Sequence, residues 1–224
     1  MAAIEKDTVL KRLNEVGILP LFYHSDSFLV KDIVEACYDA GIRNFEFVDR
    51  GDNTLPVLKQ LLTYSRTHMP EMAVGVGTIY HPEKAKIFIE EGADFIVTPA
   101  LIPEVGKVCL ENNIPWLPGV GTFTEIYQAR QLGAEVLKLY PSGAIGSQFI
   151  KTVRNPMPDV KLLASGGPKG TRESLAEWFD AGAYAVSISS YFFPEDVIAR
   201  KDIDWIRERV KESIGFLEEF RGNR

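Results

Sequence analysis

Short apolar runs alternate with amphipathic segments along almost the whole chain. The runs predict eight strands, namely Gly17–Tyr23, Arg43–Val48, Met72–Gly77, Asp94–Thr98, Pro115–Val120, Glu135–Tyr140, Val160–Ser165 and Tyr184–Ser189. The segments between them carry Glu, Lys, Leu and Ala at helical spacing, and a longer helix is predicted over Asp202–Arg221. Strands that alternate with helices are typical of a parallel sheet, and eight such units are the number in a (β/α)8 TIM barrel, an α/β fold.

A glycine recurs at the junction between a predicted helix and the next strand. It occurs in Ala40-Gly41-Ile42, Glu91-Gly92-Ala93, Leu132-Gly133-Ala134 and Ala181-Gly182-Ala183. Glycine supplies the left-handed residue that ends many helices, so the shared turn favours one repeated unit. No linker or low-complexity segment interrupts the pattern. We therefore predict a single barrel domain over residues 1–224, with a helical segment before the first strand; a doubly wound open sheet is the alternative fold.

A lysine stands in the middle of a predicted core strand. The segment around Lys138 has apolar and aromatic residues on both faces, which is typical of a strand buried on both sides. Burying an unpaired ammonium group is costly, and burial favours the neutral amine, which is a nucleophile toward carbonyl compounds. Lys138 is therefore a candidate Schiff-base residue. The alternative is a lysine that extends from the strand end into a salt bridge.

Composition narrows the classes of partner. The chain has 224 residues, a formal net charge of -6 and a pI near 5.2, which argues against a general role on nucleic acid or an anionic membrane. No apolar run is long enough to span a bilayer, and the first residues lack the apolar run of a signal peptide. Cys37 and Cys109 belong to no CxxC pair and are expected to be reduced thiols. We expect a cytoplasmic protein.

A second predicted strand region carries two charged residues whose side chains point to the same face. Glu46 and Arg50 share one face, and if Phe45 and Phe47 pack against helices, both charged side chains face the barrel lumen. Arg50 then lies nearer the C-terminal mouth, where active sites of this fold are found. The arrangement indicates a proton carrier below a carboxylate clamp. The alternative is a structural ion pair of Glu46 with Arg50 or with Lys138.

Three strand ends complete the candidate site. Gly75 and Gly77 allow a ligand to approach the backbone closely, and Thr78 adds a hydroxyl at the mouth. The last two strands end in Ser165-Gly166-Gly167 and Ser187-Ile188-Ser189-Ser190. Loops at these positions in a barrel often bind phosphate, which makes Gly166-Gly167 a candidate, with a plain tight turn as the alternative. The only histidines, His24, His68 and His81, have no zinc-site spacing, and we expect no metal.

Five motifs occur in one order along the chain. They are Glu46-x-x-x-Arg50, Gly75-Val76-Gly77-Thr78, Pro118-Gly119, Lys138-Leu139-Tyr140-Pro141 and Ser165-Gly166-Gly167. Their order and spacing resemble the class I 2-keto-3-deoxy-6-phosphogluconate and 4-hydroxy-2-oxoglutarate aldolases, abbreviated KDPG and KHG aldolases. The resemblance runs from the first predicted strand to the eighth, with Ser165 where the family has threonine.

The resemblance implies an activity and roles for the pyruvate half of the site. The activity is cleavage of a 2-keto-3-deoxy sugar acid, such as the 6-phosphate, to pyruvate and an aldehyde. Lys138 would attack the ketone and form an iminium ion, the electron sink for cleavage of the C3–C4 bond, without a metal. Glu46 would shuttle protons. Arg50 and Thr78 would hold the carboxylate, and Tyr140 would form the pocket wall beside the lysine.

The resemblance also implies a distal subsite and an assembly. Ser165 would meet the substrate beyond the cleaved bond, and the distal phosphate would bind to Gly166, Gly167 and Ser190. A small 2-keto acid is then the partner, no cofactor is needed, and the protein is a homotrimer in carbohydrate metabolism of the Entner–Doudoroff type.

Some residues depart from the family pattern and leave alternatives open. Asp52 adds a negative charge near the arginine, and Ser189 replaces the glycine that usually precedes the last serine. Two cations, Lys169 and Arg172, favour an anionic substrate tail. The alternative functions are a sugar-phosphate epimerase or isomerase with Glu46 as base, and a non-catalytic barrel that binds sugar acids.

Overall fold

Parallel strands alternate with helices in a computed structural model that describes residues 2–222. The strands are β1 Ile18–Phe22, β2 Asn44–Val48, β3 Ala73–Gly77, β4 Ile96–Val97, β5 Trp116–Leu117, β6 Gly119–Val120, β7 Leu137–Leu139, β8 Leu162–Ser165 and β9 Ala185–Ile188. The helices are α1 Lys6–Val16, α2 Ser27–Asp39, α3 Thr54–His68, α4 Pro82–Glu90, α5 Pro103–Glu111, α6 Phe123–Gln131, α7 Ser142–Ile145, α8 Ser147–Arg154, α9 Arg172–Asp180, α10 Glu195–Ala199 and α11 Ile203–Gly222. Each predicted strand therefore occurs, with a shorter hydrogen-bonded core than its apolar run.

The strands close into a ring. Over residues 2–222 the strand order is β5-β4-β3-β2-β1-β9-β8-β7-β6, and every pairing is parallel. The two ends of this order, β5 and β6, are halves of one chain segment divided by Pro118, which has no N–H to donate to a ladder. Its carbonyl accepts from the Lys138 N–H at 2.8 Å. The ring thus has eight positions, which confirms the (β/α)8 barrel, and the doubly wound alternative is wrong.

The repeated glycine turn ends the helices as predicted. Gly41, Gly92, Gly133 and Gly182 have φ values of 107°, 103°, 85° and 94°. In each case the residue after the glycine donates its N–H to a carbonyl five residues earlier, as in Ile42 to Cys37 at 2.9 Å. This bond satisfies a carbonyl at the helix end and turns the chain toward the next strand.

Helix α1 closes the N-terminal end of the barrel. Its buried residues pack with lumen side chains from most strands, and this cluster comprises Val9, Leu10, Leu13, Leu19, Ala73, Phe95, Val97, Leu117, Val136, Leu163 and Ala185. The buried Asn44 side chain donates to the Val9 carbonyl at 2.8 Å and ties the helix to β2. Pattern alone predicts a helical segment here but not its position across the barrel. The predicted domain also includes residues 1, 223 and 224, which lie outside the described residues.

The state of the cysteines and the character of the helices can be compared with what the composition predicts. Cys37 and Cys109 are free and buried, and burial raises the pKa of the Cys109 thiol to about 12. Neither cysteine therefore carries a reactive thiolate at neutral pH. Among residues 2–222, no helix has the length and apolar character that crossing a membrane requires.

Candidate active site

A cavity of about 780 Å³ opens at the C-terminal ends of the strands. The nine residues to which the family resemblance assigns roles all line it: Glu46, Arg50, Thr78, Lys138, Tyr140, Ser165, Gly166, Gly167 and Ser190. They come from β2, β3, β7, β8, β9 and the loops that follow these strands. Since residues far apart in sequence converge on one concave site, the cavity is the candidate active site.

Lys138 lies inside the barrel. Leu137 and Leu139 on either side of it belong to the core between strands and helices, so strand alternation turns Lys138 into the lumen. Its side chain is 8% exposed, and its Nζ lies 3.2 Å from Oε1 and 3.4 Å from Oε2 of Glu46. The amine therefore does not extend to solvent, and the ion pair left open by the sequence is Glu46–Lys138.

Glu46 reaches Lys138 from the opposite side of the ring. In the strand order, β2 and β7 are separated by β1, β9 and β8, which places them face to face in an eight-position barrel. A Cβ on Gly77 would lie 1.9 Å from Glu46 Oε1, and a Cβ on Gly75 would lie 2.2 Å from the Phe95 ring. Both glycines thus make room for side chains, which corrects the expectation that they allow close approach of a ligand.

Arg50 stands at the mouth with its guanidinium available. The side chain is exposed and has no hydrogen bond or ion pair within residues 2–222. Its backbone N–H donates to Thr54 Oγ1 at 3.1 Å, which fixes the loop. The neighbouring Asp49 is paired with Lys84 at 2.5 Å, and Asp52 is not among the residues that line the cavity. Neither Asp49 nor Asp52 therefore pairs with the Arg50 guanidinium.

Thr78 adopts a conformation that is rare for its residue type. Its φ is +66°, in the left-handed region that a β-branched side chain seldom enters. Such a residue costs about 1–3 kcal/mol and persists where its surroundings hold it, often at functional sites. Here the strained backbone turns the chain at the end of β3 and brings Thr78 to the cavity beside Tyr80.

The glycine pair after β8 has a packing role of its own. Gly166 has φ +75°, and its carbonyl accepts from the Gly143 N–H at 3.1 Å. A Cβ on Gly167 would lie 2.5 Å from the Gly143 nitrogen, and one on Gly166 would lie 2.9 Å from the Tyr140 ring. The tight turn is thus present, and it leaves both glycines on the cavity wall.

The cavity lining is positively charged overall. Among the described lining residues, Arg50, Lys138 and Lys169 are cationic and Glu46 is anionic. Arg172, the second cation of the loop after β8, pairs instead with Glu219 at 2.7 Å. The net positive charge of the lining favours an anionic substrate, and Lys169 is the cation that the loop after β8 contributes to the cavity.

Several lining residues were not among the predicted site residues. They are Leu21, Tyr80, Pro99, Pro168, Thr171, Ser187 and Tyr191, together with Lys169 and Ser189, which the sequence marked only as features of their loops. The alternation of β9 was a signal for Ser187, because Ser187 and Ser189 share one face. The described residues contain no group of three or more His, Cys, Asp or Glu that could hold a metal ion.

The family model and the curated relatives that follow agree on one family. The model described as "Aldolase: KDPG and KHG aldolase" matches residues 9–209. The 2-dehydro-3-deoxy-6-phosphogalactonate aldolase of Escherichia coli (strain K12) is 36% identical over 118 residues, which cover 52% of this chain and 57% of that relative. The 2-dehydro-3-deoxy-phosphogluconate aldolase of Haemophilus influenzae is 23% identical over 211 residues, which cover 94% of this chain and 97% of the relative.

A solved structure shares the fold. It is the KDPG aldolase of Legionella pneumophila with pyruvate captured at low pH as a covalent carbinolamine intermediate. The match has a TM-score of 0.82 at 21% identity and covers 90% of this chain and 96% of that one. At this identity the likeness supports the barrel fold alone.

Proposed function

The chain belongs to the KDPG and KHG aldolase family and is an aldolase, and we propose that it cleaves a phosphorylated 2-keto-3-deoxy sugar acid through an imine on Lys138. The observation that carries the proposal is the Lys138 amine, buried in the lumen 3.2 Å from a carboxylate oxygen of Glu46. A buried amine beside a proton acceptor is the arrangement that imine chemistry requires. The products are pyruvate and an aldehyde.

Imine formation uses the two buried residues together. Glu46 accepts a proton from the Lys138 ammonium group, and the neutral amine attacks C2 of the keto acid to give a carbinolamine. Glu46 returns a proton to the carbinolamine hydroxyl, which leaves as water. Arg50 and Thr78 hold the carboxylate at the mouth, where the Arg50 guanidinium has no partner among the described residues.

Carbon–carbon cleavage reverses the direction of proton flow. Glu46 takes the proton of the C4 hydroxyl directly or through a water, the C3–C4 bond breaks, and its electron pair moves to the iminium nitrogen as an enamine forms. The aldehyde leaves. A proton then returns to C3, and water hydrolyses the imine to release pyruvate and the Lys138 amine. Tyr140 stands beside the reacting nitrogen, with its ring centroid 5.8 Å from Lys138 Nζ.

The far end of the cavity supports a phosphorylated substrate. Ser165, Ser190 and the backbone of Gly166 and Gly167 line this end, and Lys169 adds a positive charge. Hydroxyl groups, backbone amides and a cation are the donors that proteins use for phosphate. Relatives named for the gluconate and the galactonate substrates occur, and 4-hydroxy-2-oxoglutarate is the smaller family substrate.

The same family membership supports a homotrimer. Exposed apolar side chains on α5 and α6, among them Leu110 at 46% and Tyr127 at 53%, offer a surface that assembly would cover. We expect a mass of three chains in light scattering, and a Tyr127→Lys variant with a smaller mass.

The decisive experiment traps the imine. We expect wild-type protein incubated with pyruvate and borohydride to gain one reduced-pyruvate adduct in an intact-mass spectrum, and a Lys138→Ala variant to gain none. A Lys161→Ala variant is the matched control, because Lys161 lies at the opposite end of the barrel beside Tyr184. An isomerase or epimerase would form no adduct. A non-catalytic binder would be stabilised by ligand without releasing pyruvate, and either result would overturn the proposal.

A further inference from the structure

The hydroxyl of Ser187 has no partner although it is buried. Within residues 2–222, three buried side-chain atoms lack a hydrogen-bond partner: Asn44 Oδ1, Ser142 Oγ and Ser187 Oγ. Of these three residues, Ser187 alone lines the active-site cavity. A buried hydroxyl without a hydrogen bond is unfavourable, so such an atom in a cavity points to a group that binds there.

Ser187 lies where the apolar floor of the lumen ends. Two residues earlier on the same face of β9, Ala185 belongs to the packed cluster that α1 covers. Across the ladders, Ser187 is in register with Leu19 of β1 and Ser165 of β8. Leu19 also belongs to that cluster and offers no side-chain partner. The Ser187 side chain is therefore at the bottom of the cavity, where its buried hydroxyl lies directly beneath the space that a substrate would fill.

The strand order shows which part of a substrate reaches Ser187. On the ring, β9 is midway between β2, which carries Glu46, and β7, which carries Lys138. Thr78 follows β3, which is opposite β8. A keto acid whose carboxylate lies at the Thr78 side, with C2 at Lys138, extends its remaining carbons toward β8 and β9. Ser187 therefore faces the aldehyde half of the substrate.

We propose that Ser187 Oγ hydrogen-bonds the hydroxyl on the carbon next to the reacting aldehyde carbon, which is C5 of the intact keto acid. The inference rests on the proposed function and adds a substrate preference. Sugar-derived keto acids carry this C5 hydroxyl, whereas 4-hydroxy-2-oxoglutarate has its second carboxylate at C5. A neutral serine on an apolar floor suits a hydroxyl rather than a carboxylate. Ser187 thus selects sugar acids over 4-hydroxy-2-oxoglutarate.

The test compares two aldehydes in the reverse reaction with pyruvate. Glyceraldehyde carries the hydroxyl in question, and 3-hydroxypropanal lacks it while keeping the terminal hydroxyl. We expect the wild type to favour glyceraldehyde in kcat/KM, and Ser187→Ala to lower that preference by about tenfold, the effect of one lost hydrogen bond. Ser187→Cys keeps the side-chain size with a weaker donor and should give an intermediate preference.

Controls separate this contact from folding and from the chemistry. Ser142→Ala removes an equally buried, unpartnered hydroxyl that does not line the cavity and should leave the preference unchanged. Ser187→Ala should keep the pyruvate–borohydride adduct and an equal or higher Tm. An unchanged preference, an equal loss in Ser142→Ala or a lower Tm would overturn the role of Ser187. Failure of the adduct in the wild type would instead overturn the aldolase mechanism.

Discussion

The two halves of the barrel lumen are built from the same strands and differ in almost every physical property. The lower half, under α1, is filled by apolar side chains such as Phe95, Val136 and Leu163, all fully buried. The upper half holds the Glu46–Lys138 ion pair and the unpartnered Ser187 hydroxyl. At β7 the change takes two residues, from Val136 just before the strand to Lys138 within it.

This difference separates stability from chemistry within one barrel. Close apolar packing in the lower half stabilises the fold, because each buried side chain removes apolar area from water. The upper half contains a desolvated ion pair, a strained Thr78 backbone and an unpaired hydroxyl, all of which lower stability. These three features have a function only when a ligand binds in the upper half and interacts with them. Changes in the lower half should therefore alter folding, and changes in the upper half should alter turnover or selectivity.

The largest effect on stability is expected in the lower half. Phe95→Ala should lower the free energy of unfolding by about 3–5 kcal/mol, because it leaves a cavity where the ring packs over Gly75. Urea denaturation measures the loss, and Phe95→Leu should lose less. In the fraction that remains folded, the pyruvate adduct on Lys138 should still form. Loss of the adduct from fully folded protein would show that a change in the lower half alters the chemistry of the upper half.

Glu46→Gln should produce the largest effect in the upper half. The amide keeps the shape of the carboxylate but cannot carry protons, so turnover should fall by roughly 10²–10⁴-fold, the usual contribution of a general acid–base. Single-turnover mixing with pyruvate should still give imine, at a lower rate. Steady-state release of pyruvate, followed with lactate dehydrogenase, measures the turnover. Wild-type turnover in this variant would remove Glu46 from the mechanism.

Arg50→Ala should weaken binding more than it slows chemistry. Loss of a charged hydrogen bond to the substrate carboxylate costs about 1.5–3 kcal/mol, which corresponds to a KM about 10–150-fold higher. Arg50→Lys keeps the charge without the paired donors and should recover part of the loss. Initial rates over a range of keto-acid concentrations separate KM from kcat. An unchanged KM would mean that the carboxylate binds elsewhere.

The sequence predicts the separation of the two halves only in part. Strand alternation is a local property, so it correctly turns Glu46 into the lumen, and the recurring glycine turns indicate the repeated βα unit. The partner of Glu46 depends on which strands face each other across the ring, so Arg50 and Lys138 were equal candidates. The roles of Gly75 and Gly77 depend on Phe95 and Glu46 of the neighbouring strands, which pattern does not show. For the same reason, the sequence pattern does not predict that α1 lies across the N-terminal end of the barrel.

The smallest predicted effect is at the mouth, where solvent screens the charge of Lys169. An exposed ion pair contributes about 0.2–1 kcal/mol, so Lys169→Met should raise the KM for a phosphorylated keto acid by at most about fivefold. The KM for the unphosphorylated keto acid should not change. Screening over about 10 Å at 0.1 M salt means that the difference should shrink as salt is added.

Arg172→Met is the matched control for Lys169. It removes one positive charge from the same loop, but this charge is paired with Glu219 and does not line the cavity. If both variants raise the KM equally, the effect is one of net charge and not of contact with the distal phosphate. If only Lys169→Met raises the KM, and only for the phosphorylated substrate, Lys169 contacts the distal phosphate. The polar upper half of the lumen then extends to the mouth, where this cation lies above Ser187 and the Glu46–Lys138 pair.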